Sequence, residues 1–129
     1  MVLRIPLLFE GSKSSKNLYA LFDSGATYSC INEDKAEEPE IFTPLHKPMK
    51  LAAASEYVFM EIHNTVRLDF YKDDIRLSDE FLVVPNLSED VVIGATTFIL
   101  VAKLYRFPSF LNLKLIVEQR IIKGSVVKD

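Results

Sequence analysis

Residues Leu18–Asn32 read LYALFDSGATYSCIN, and this stretch decides how the rest of the chain is interpreted. An apolar run from Leu18 to Phe22 leads directly into Asp23, Ser24 and Gly25, and a second, partly apolar run follows. Charged side chains flanked by apolar sequence are rarely buried unless they are paired or used chemically. Because Asp, Ser and Gly also favour tight turns, the alternative interpretation is an ordinary hairpin corner.

Composition limits the classes of protein to which the chain can belong. With 129 residues, 49% hydrophobic and 26% charged, it is expected to form one globular domain spanning residues 1–129. A net charge of −3 gives no basic face, so no nucleic-acid partner is expected. The single cysteine, Cys30, excludes a disulfide framework and a Cys-based zinc cluster.

The remaining expectations concern location. The N-terminal residues MVLRIPLLFEGS make a poor signal peptide, since Pro6 breaks the apolar run and Glu10 follows it closely. No stretch approaches the ~20 apolar residues that a membrane-spanning helix needs. We therefore expect a cytoplasmic protein with no membrane partner.

The pattern of apolar residues is mainly that of β-strands. Residues 65–71 alternate, with Val66, Leu68 and Phe70 on one face, which is typical of a half-buried strand. Further strands are predicted at 2–9, 18–22, 50–54, 57–62, 75–85, 91–93 and 111–117, with residues 121–129 as another strand or a tail. Residues 33–40 predict a loop or a single helical turn, and 41–48 an extended, irregular segment. One helix is predicted, at residues 95–107. Its apolar residues recur with helical spacing, so that Phe98, Val101, Ala102 and Tyr105 share a face.

Two of these segments carry a resemblance to a known family. Residues 20–27, ALFDSGAT, resemble the apolar-Asp-Thr/Ser-Gly-Ala signature of aspartic proteases. Residues 91–94, VVIG, resemble the second element of that family, which precedes a helix. One copy of the pair in a short chain is similar to the retropepsin-like branch. The resemblance implies an all-β acid-protease half-barrel with one C-terminal α-helix, assembled as a homodimer.

The chemistry explains why a dimer would be required. Hydrolysis without a metal or a covalent nucleophile needs one group to accept a proton from water and another to protonate the carbonyl. Two adjacent carboxyls can share one proton, as the dyad of aspartic proteases does. Only Asp23 lies in an apolar-Asp-Ser-Gly setting, so the second carboxyl must come from a second copy of the chain. The activity implied is endopeptide hydrolysis by an Asp23 dyad, with an extended peptide or protein substrate and no cofactor or metal.

The resemblance also implies roles for individual residues. Asp23 would be catalytic, and Ser24, Gly25 and Gly94 would support the active-site loop. The substrate-binding residues would be Ala26, Thr27, Ala53, Ala54, Ser55, Val92 and Ile93. Three of these belong to the Lys50–Ile62 hairpin, which would form a flap over the substrate, with its tip at Ser55 and Glu56.

The sequence departs from the family in two places. The hairpin tip has no glycine, and Thr27 and Ala95 occupy positions where viral members typically carry a charged Asp and Arg. We therefore expect the dimer to be held by other means, with the strands at Val2–Phe9 and Leu111–Val117 interleaved between subunits.

Other functions stay open at this point. The main alternative is a retropepsin-like peptide-binding or dimerisation module without turnover. A thiol–imidazole pair of Cys30 with His46 or His63 lacks a nucleophile turn, and a lone Cys in a strand is usually part of the core. The two histidines have no third ligand at a metal-binding spacing.

Overall fold

The computed structural model describes residues 2–53 and 58–104, and within them the chain is mostly β-strand. The strands are β1 Val2–Glu10, β2 Ser15–Asp23, β3 Cys30–Asn32, β4 Thr43–Ala53, β5 Val58–Lys72, β6 Ile75–Val84 and β7 Val91–Ile93. The helices are α1 Glu33–Ala36 and α2 Ala95–Leu104. The all-β prediction with one longer helix is confirmed.

The strands close on themselves into a barrel. Their order is β1-β2-β7-β3-β6-β5-β4, and β1 pairs in addition with β5. Leu8–Glu10 pair with Asp69–Tyr71, which closes a ring of six strands and leaves β4 outside it as the partner of β5. The strands predicted at 2–9 and 18–22 pair with each other as a hairpin, since β1 is antiparallel to β2 from Val2 to Glu10. Ring closure satisfies strand edges that would otherwise be open to other chains.

The core lies inside this ring and follows the strand alternation. Val66, Leu68 and Phe70 of β5 are buried, as their period-two spacing predicted. The Phe70 ring lies 5.5 Å from that of Phe9 and 6.3 Å from that of Phe81, and all three rings are fully buried. Burial of each such side chain contributes about 1.5–3 kcal/mol, so this aromatic cluster is a main source of stability.

Two turns use residues in the left-handed region of the backbone. Asp73, in the turn between β5 and β6, has φ 55°, and Asn86, in the loop between β6 and β7, has φ 60°. Asp and Asn tolerate this conformation better than other non-glycine residues. The chain can therefore reverse sharply at both places without a glycine.

The segment between β3 and β5 matches the irregular pattern predicted for it. The helix α1 is a single turn, and β4 follows from Thr43 with a register shift between Pro44 and Met49. Met49–Ala53 then pair with Val58–Ile62 as the predicted hairpin. Its tip at Ser55 and Glu56, the end of the predicted helix beyond Leu104, and the strand predicted at residues 111–117 lie outside the described residues, as does the segment 121–129.

Candidate active site

Asp23 is placed at the end of a strand that is held on both sides. Besides its pairing with β1, β2 runs parallel to β7, with Ala20–Phe22 opposite Val91–Ile93. Phe22 points into the core and is buried, whereas Asp23 is half-buried, because successive side chains of a strand face opposite sides. The carboxylate therefore lies at the surface of the barrel on a rigid support.

The turn after Asp23 folds back onto the carboxylate. The backbone N–H of Gly25 donates a hydrogen bond to Asp23 Oδ1 at 2.9 Å, and Ala26 N–H donates to the Asp23 carbonyl at 3.1 Å. Ser24 is buried, and its Oγ has no hydrogen-bond partner within residues 2–53 and 58–104. The turn thus fixes one carboxylate oxygen and buries a hydroxyl with unused hydrogen-bonding capacity.

Gly94 lies behind this turn, where the backbones approach too closely for a side chain. A Cβ on Gly94 would be 2.9 Å from the carbonyl carbon of Tyr28 and 3.1 Å from the nitrogen of Ser29. Gly94 N–H donates to Ser29 Oγ at 3.0 Å, and Ala95 N–H donates to the Ala26 carbonyl at 2.9 Å. Ser29, which the sequence analysis did not single out, therefore joins the two motifs; its one signal was a small polar residue in an apolar run.

A pocket of about 140 Å³ opens beside Asp23, between the turn and the β4–β5 hairpin. Its lining is mainly apolar and consists of Asp23, Ala26, Thr27, Tyr28, Cys30, Leu51, Ala52, Met60, Leu87 and Val92. Among the described residues that line the pocket, Asp23 is the one with a charged side chain. Ala26, Thr27 and Val92 were predicted substrate-binding residues, so the structure brings these three together with Asp23. Leu87 was not predicted, because nothing local in its segment indicates proximity to residues 23–30. Met60 belongs to the hairpin predicted to cover the substrate, but it was not singled out as a binding residue.

Ile93, another predicted substrate-binding residue, lies on the other side of its strand. The Ile93 side chain is fully buried in the core on the face of β7 opposite Val92, so it does not line the pocket. Ala53 ends β4, and Ala54 and Ser55 lie outside the described residues. The supporting residues Ser24, Gly25 and Gly94 are buried around the turn, as a supporting role requires.

The competing sites find little support. Cys30 lines the pocket, with its Sγ 3.7 Å from the Tyr28 carbonyl oxygen. His46 is exposed, and His63 is 3.9 Å from Glu61 with both side chains more than half exposed. In the described ranges, no three His, Cys, Asp or Glu side chains are grouped so that they could hold a metal ion. Neither described helix has the length and apolar character needed to cross a membrane.

Comparison with known proteins gives the fold. No family model and no curated protein matches the sequence. Among solved structures, the retroviral protease-like domain of Ddi1 from Leishmania major is similar, with a TM-score of 0.57 and 19% identity over 76% of this chain and 75% of that one. EIAV protease complexed with the inhibitor HBY-793 is similar with a TM-score of 0.56 and 11% identity, over 76% of this chain and 86% of that one. At such identities the likeness shows the fold alone.

Proposed function

We propose, on the premise that this chain has a retropepsin-like fold, that it is an aspartic endopeptidase which cleaves extended peptides as a homodimer. The observation that carries the proposal is the position of Asp23. Its carboxylate accepts the Gly25 N–H and borders an apolar pocket that is otherwise uncharged among the described residues. A charged group held in this way at an apolar cleft is typical of a functional site.

The reaction follows from two Asp23 carboxyls that share one proton. The ionised carboxyl removes a proton from a water molecule, whose oxygen attacks the peptide carbonyl carbon, while the neutral carboxyl protonates the carbonyl oxygen. Collapse of the tetrahedral intermediate then breaks the C–N bond: the leaving nitrogen takes the proton of the dyad, and one hydroxyl of the intermediate returns its proton to the dyad as the carboxyl product forms. The Gly25 N–H orients one carboxylate oxygen, so the groups meet the substrate without reorganisation.

Two features of the chain support a homodimer. The buried Ser24 Oγ lacks a hydrogen-bond partner within the described residues, and an unpaired buried hydroxyl is costly. A second subunit that contacts the turn would supply the missing partner. In addition, β1 pairs with β5 only at Leu8–Glu10, so in the described part of the chain Val2–Leu7 have a strand along one edge only. That edge is available for the proposed interleaving of terminal strands.

The substrate side follows from the pocket and the hairpin. The lining by Leu51, Met60, Val92 and their neighbours favours an uncharged side chain, and the volume suits one of moderate size. The hairpin of β4 and β5 lies over the pocket, where an extended peptide can add backbone hydrogen bonds to its strands. Ala26 and Thr27 would form the opposite wall.

The test is the variant Asp23→Asn, with Asp73→Asn as the matched control. Asp73 lies in an exposed turn with φ 55°, a conformation that Asn also adopts, so the same chemical change there is expected to be silent. Asp23→Asn retains the shape of the side chain and removes the shared proton. We expect cleavage of an unfolded protein at mildly acid pH to fall by at least about 100-fold.

The oligomeric state is measured on the same samples by analytical ultracentrifugation. We expect the native protein and both variants to be dimers. We expect only Asp23→Asn to lose turnover. Turnover by a strict monomer, or equal turnover in Asp23→Asn, contradicts the proposed dyad. A verified native dimer that binds a statine-containing peptide without cleaving any substrate supports the inert peptide-binding module instead.

A further inference from the structure

The loop between β6 and β7, residues 85–90, contributes to one wall of the pocket. Its Leu87 lines the pocket and packs against a second apolar cluster, which contains the buried Ile62, Leu82 and Val84 together with Cys30. Asn86 of this loop is in the left-handed region of the backbone, and the loop has no helix or strand. The position of the Leu87 side chain therefore depends on the contacts that other elements make to the loop.

Asn32, the last residue of β3, makes two hydrogen bonds to this loop. Its Nδ2–H donates to the carbonyl of Leu87 at 2.8 Å, and its backbone N–H donates to the carbonyl of Asp90 at 2.8 Å. The two bonds fix both ends of the segment that carries Leu87. Because Asn32 belongs to a strand that pairs with β6 and β7, the loop is tied to the barrel wall.

The same side chain also starts the helix α1. Asn32 Oδ1 accepts hydrogen bonds from the backbone N–H groups of Asp34 at 2.9 Å and Lys35 at 3.3 Å. These contacts fix the orientation of the amide, since the oxygen faces two donors and the nitrogen faces a carbonyl. Ser, Thr and Asp cap helices as well as Asn does, but they have no N–H to give to Leu87. The helix cap alone therefore does not explain why residue 32 is an asparagine.

The other anchors of the loop are less direct. Arg4 and Glu89 form an ion pair at 2.7 Å, but the Arg4 side chain is 56% exposed, and exposed pairs contribute little. The carboxylate of Asp90 accepts the backbone N–H of Tyr19 at 3.1 Å. Neither contact involves Leu87 itself. The Asn32 amide is therefore the described group that holds the backbone of the residue lining the pocket.

From this geometry we infer that Asn32 is a positioning residue for the pocket beside Asp23. By joining the cap of α1 to the Leu87 carbonyl, it sets the apolar wall that a bound side chain contacts. The expected effect of Asn32 on catalysis rests on the proposed function. Its expected effect on the position of Leu87 does not.

The test separates the two uses of the amide. Asn32→Ser keeps a neutral helix cap and removes the donor to Leu87. Lys35→Gly is the matched control, since it weakens α1 through helix propensity and leaves the Asn32 side chain in place. The position of the wall is read from the methyl resonances of Leu87 and Val92 and from hydrogen exchange of the residue 32 amide. The fraction folded is followed by circular dichroism.

We expect Asn32→Ser to shift the Leu87 methyl resonances and to speed exchange of the residue 32 amide, while Lys35→Gly leaves both as in the native protein. With a peptide substrate, KM is expected to rise roughly 3- to 10-fold in Asn32→Ser, the loss of one hydrogen bond, with kcat within about twofold. If native protein has no turnover, the same rise is sought in the Kd of a statine-containing peptide.

The inference is overturned if Asn32→Ser leaves the Leu87 resonances and amide exchange unchanged, or if Lys35→Gly moves them equally. In either case Asn32 acts only as a helix cap. Failure of the proposed function is a separate result, because it appears as a native protein that neither cleaves nor binds peptide while the Leu87 signals still respond to Asn32→Ser.

Discussion

Substitution of Gly94 by Ala tests how the two motifs are held together. The added Cβ would lie 2.9 Å from the Tyr28 carbonyl carbon and 3.1 Å from the Ser29 nitrogen. Ordinary contacts between such atoms are about 3.5–4.0 Å, so the backbone on one side must move by several tenths of an ångström. Overpacking of this kind costs about 1–3 kcal/mol of the free energy of unfolding. The movement also displaces the turn that carries Asp23, because Ala95 N–H bonds to the Ala26 carbonyl.

The assay is urea unfolding combined with turnover or inhibitor binding by the folded protein. With a slope of about 1.5 kcal/mol per molar urea, the midpoint is expected to fall by about 0.7–2 M. Gly11→Ala is the matched control. Gly11 lies in the loop between β1 and β2, away from the pocket, and its added Cβ would collide with the Pro39 carbonyl. Both variants lose stability, but only Gly94→Ala is expected to lose binding at the pocket. Measurements at several protein concentrations separate unfolding from dissociation of a dimer.

Two results would refute this reasoning. If Gly94→Ala unfolds at the same urea concentration as the native protein, the close approach to Tyr28 and Ser29 does not exist in solution. If it loses stability but binds and cleaves normally when folded, the packing behind the turn does not control the position of Asp23.

Three further predictions concern the core, the buried hydroxyl and an ion pair. Phe81→Ala is expected to lower the free energy of unfolding by about 3–5 kcal/mol in chemical denaturation, because the ring is fully buried, whereas Phe59→Ala, which is 70% exposed, is expected to change it by less than about 0.5 kcal/mol. Ser24→Ala is expected to weaken dimerisation by about 1 kcal/mol in sedimentation if the partner subunit bonds the hydroxyl; unchanged or tighter association would show that it has no partner there. The hydrogen bonds from the Arg4 guanidinium lower the pKa of Glu89. The Arg4–Glu89 pair therefore stabilises the protein fully above the ordinary carboxyl pKa, and this stabilisation is lost as the pH falls through the lowered pKa of Glu89. Arg4→Gln is expected to have a lower Tm than the native protein at neutral pH, and the two Tm values are expected to converge in acid.

Local patterns in the sequence predicted most of the strands. Val66, Leu68 and Phe70 are buried where their alternation placed them, because one face of β5 packs on the core and the other meets solvent. The single helical turn of α1 was likewise one of the two forms predicted for residues 33–40. These features depend on residues a few positions apart along the chain, so a single sequence is enough to predict them.

Contacts between distant segments could not be read in this way. The pairing of Leu8–Glu10 with Asp69–Tyr71 closes the barrel, yet neither segment carries a local signal for the other. In the pocket, Leu87 comes close to Asp23 only because β7 and β3 return the chain to the same region. Ile93 was expected beside Val92 at the substrate, but a three-residue strand presents neighbouring side chains to opposite faces, and Ile93 takes the core side.

The strand β5 belongs to both the hairpin over the pocket and the wall of the barrel. Its 15 residues run without interruption from Val58 to Lys72. The β4 register shift between Pro44 and Met49 falls opposite the middle of β5, so that is where the pair is least regular and bends most easily. Under the proposed function, a bound peptide that moves the hairpin would act on the same strand that carries Val66, Leu68 and Phe70 into the core. Peptide binding at the pocket and the stability of the core would then be coupled through one continuous strand.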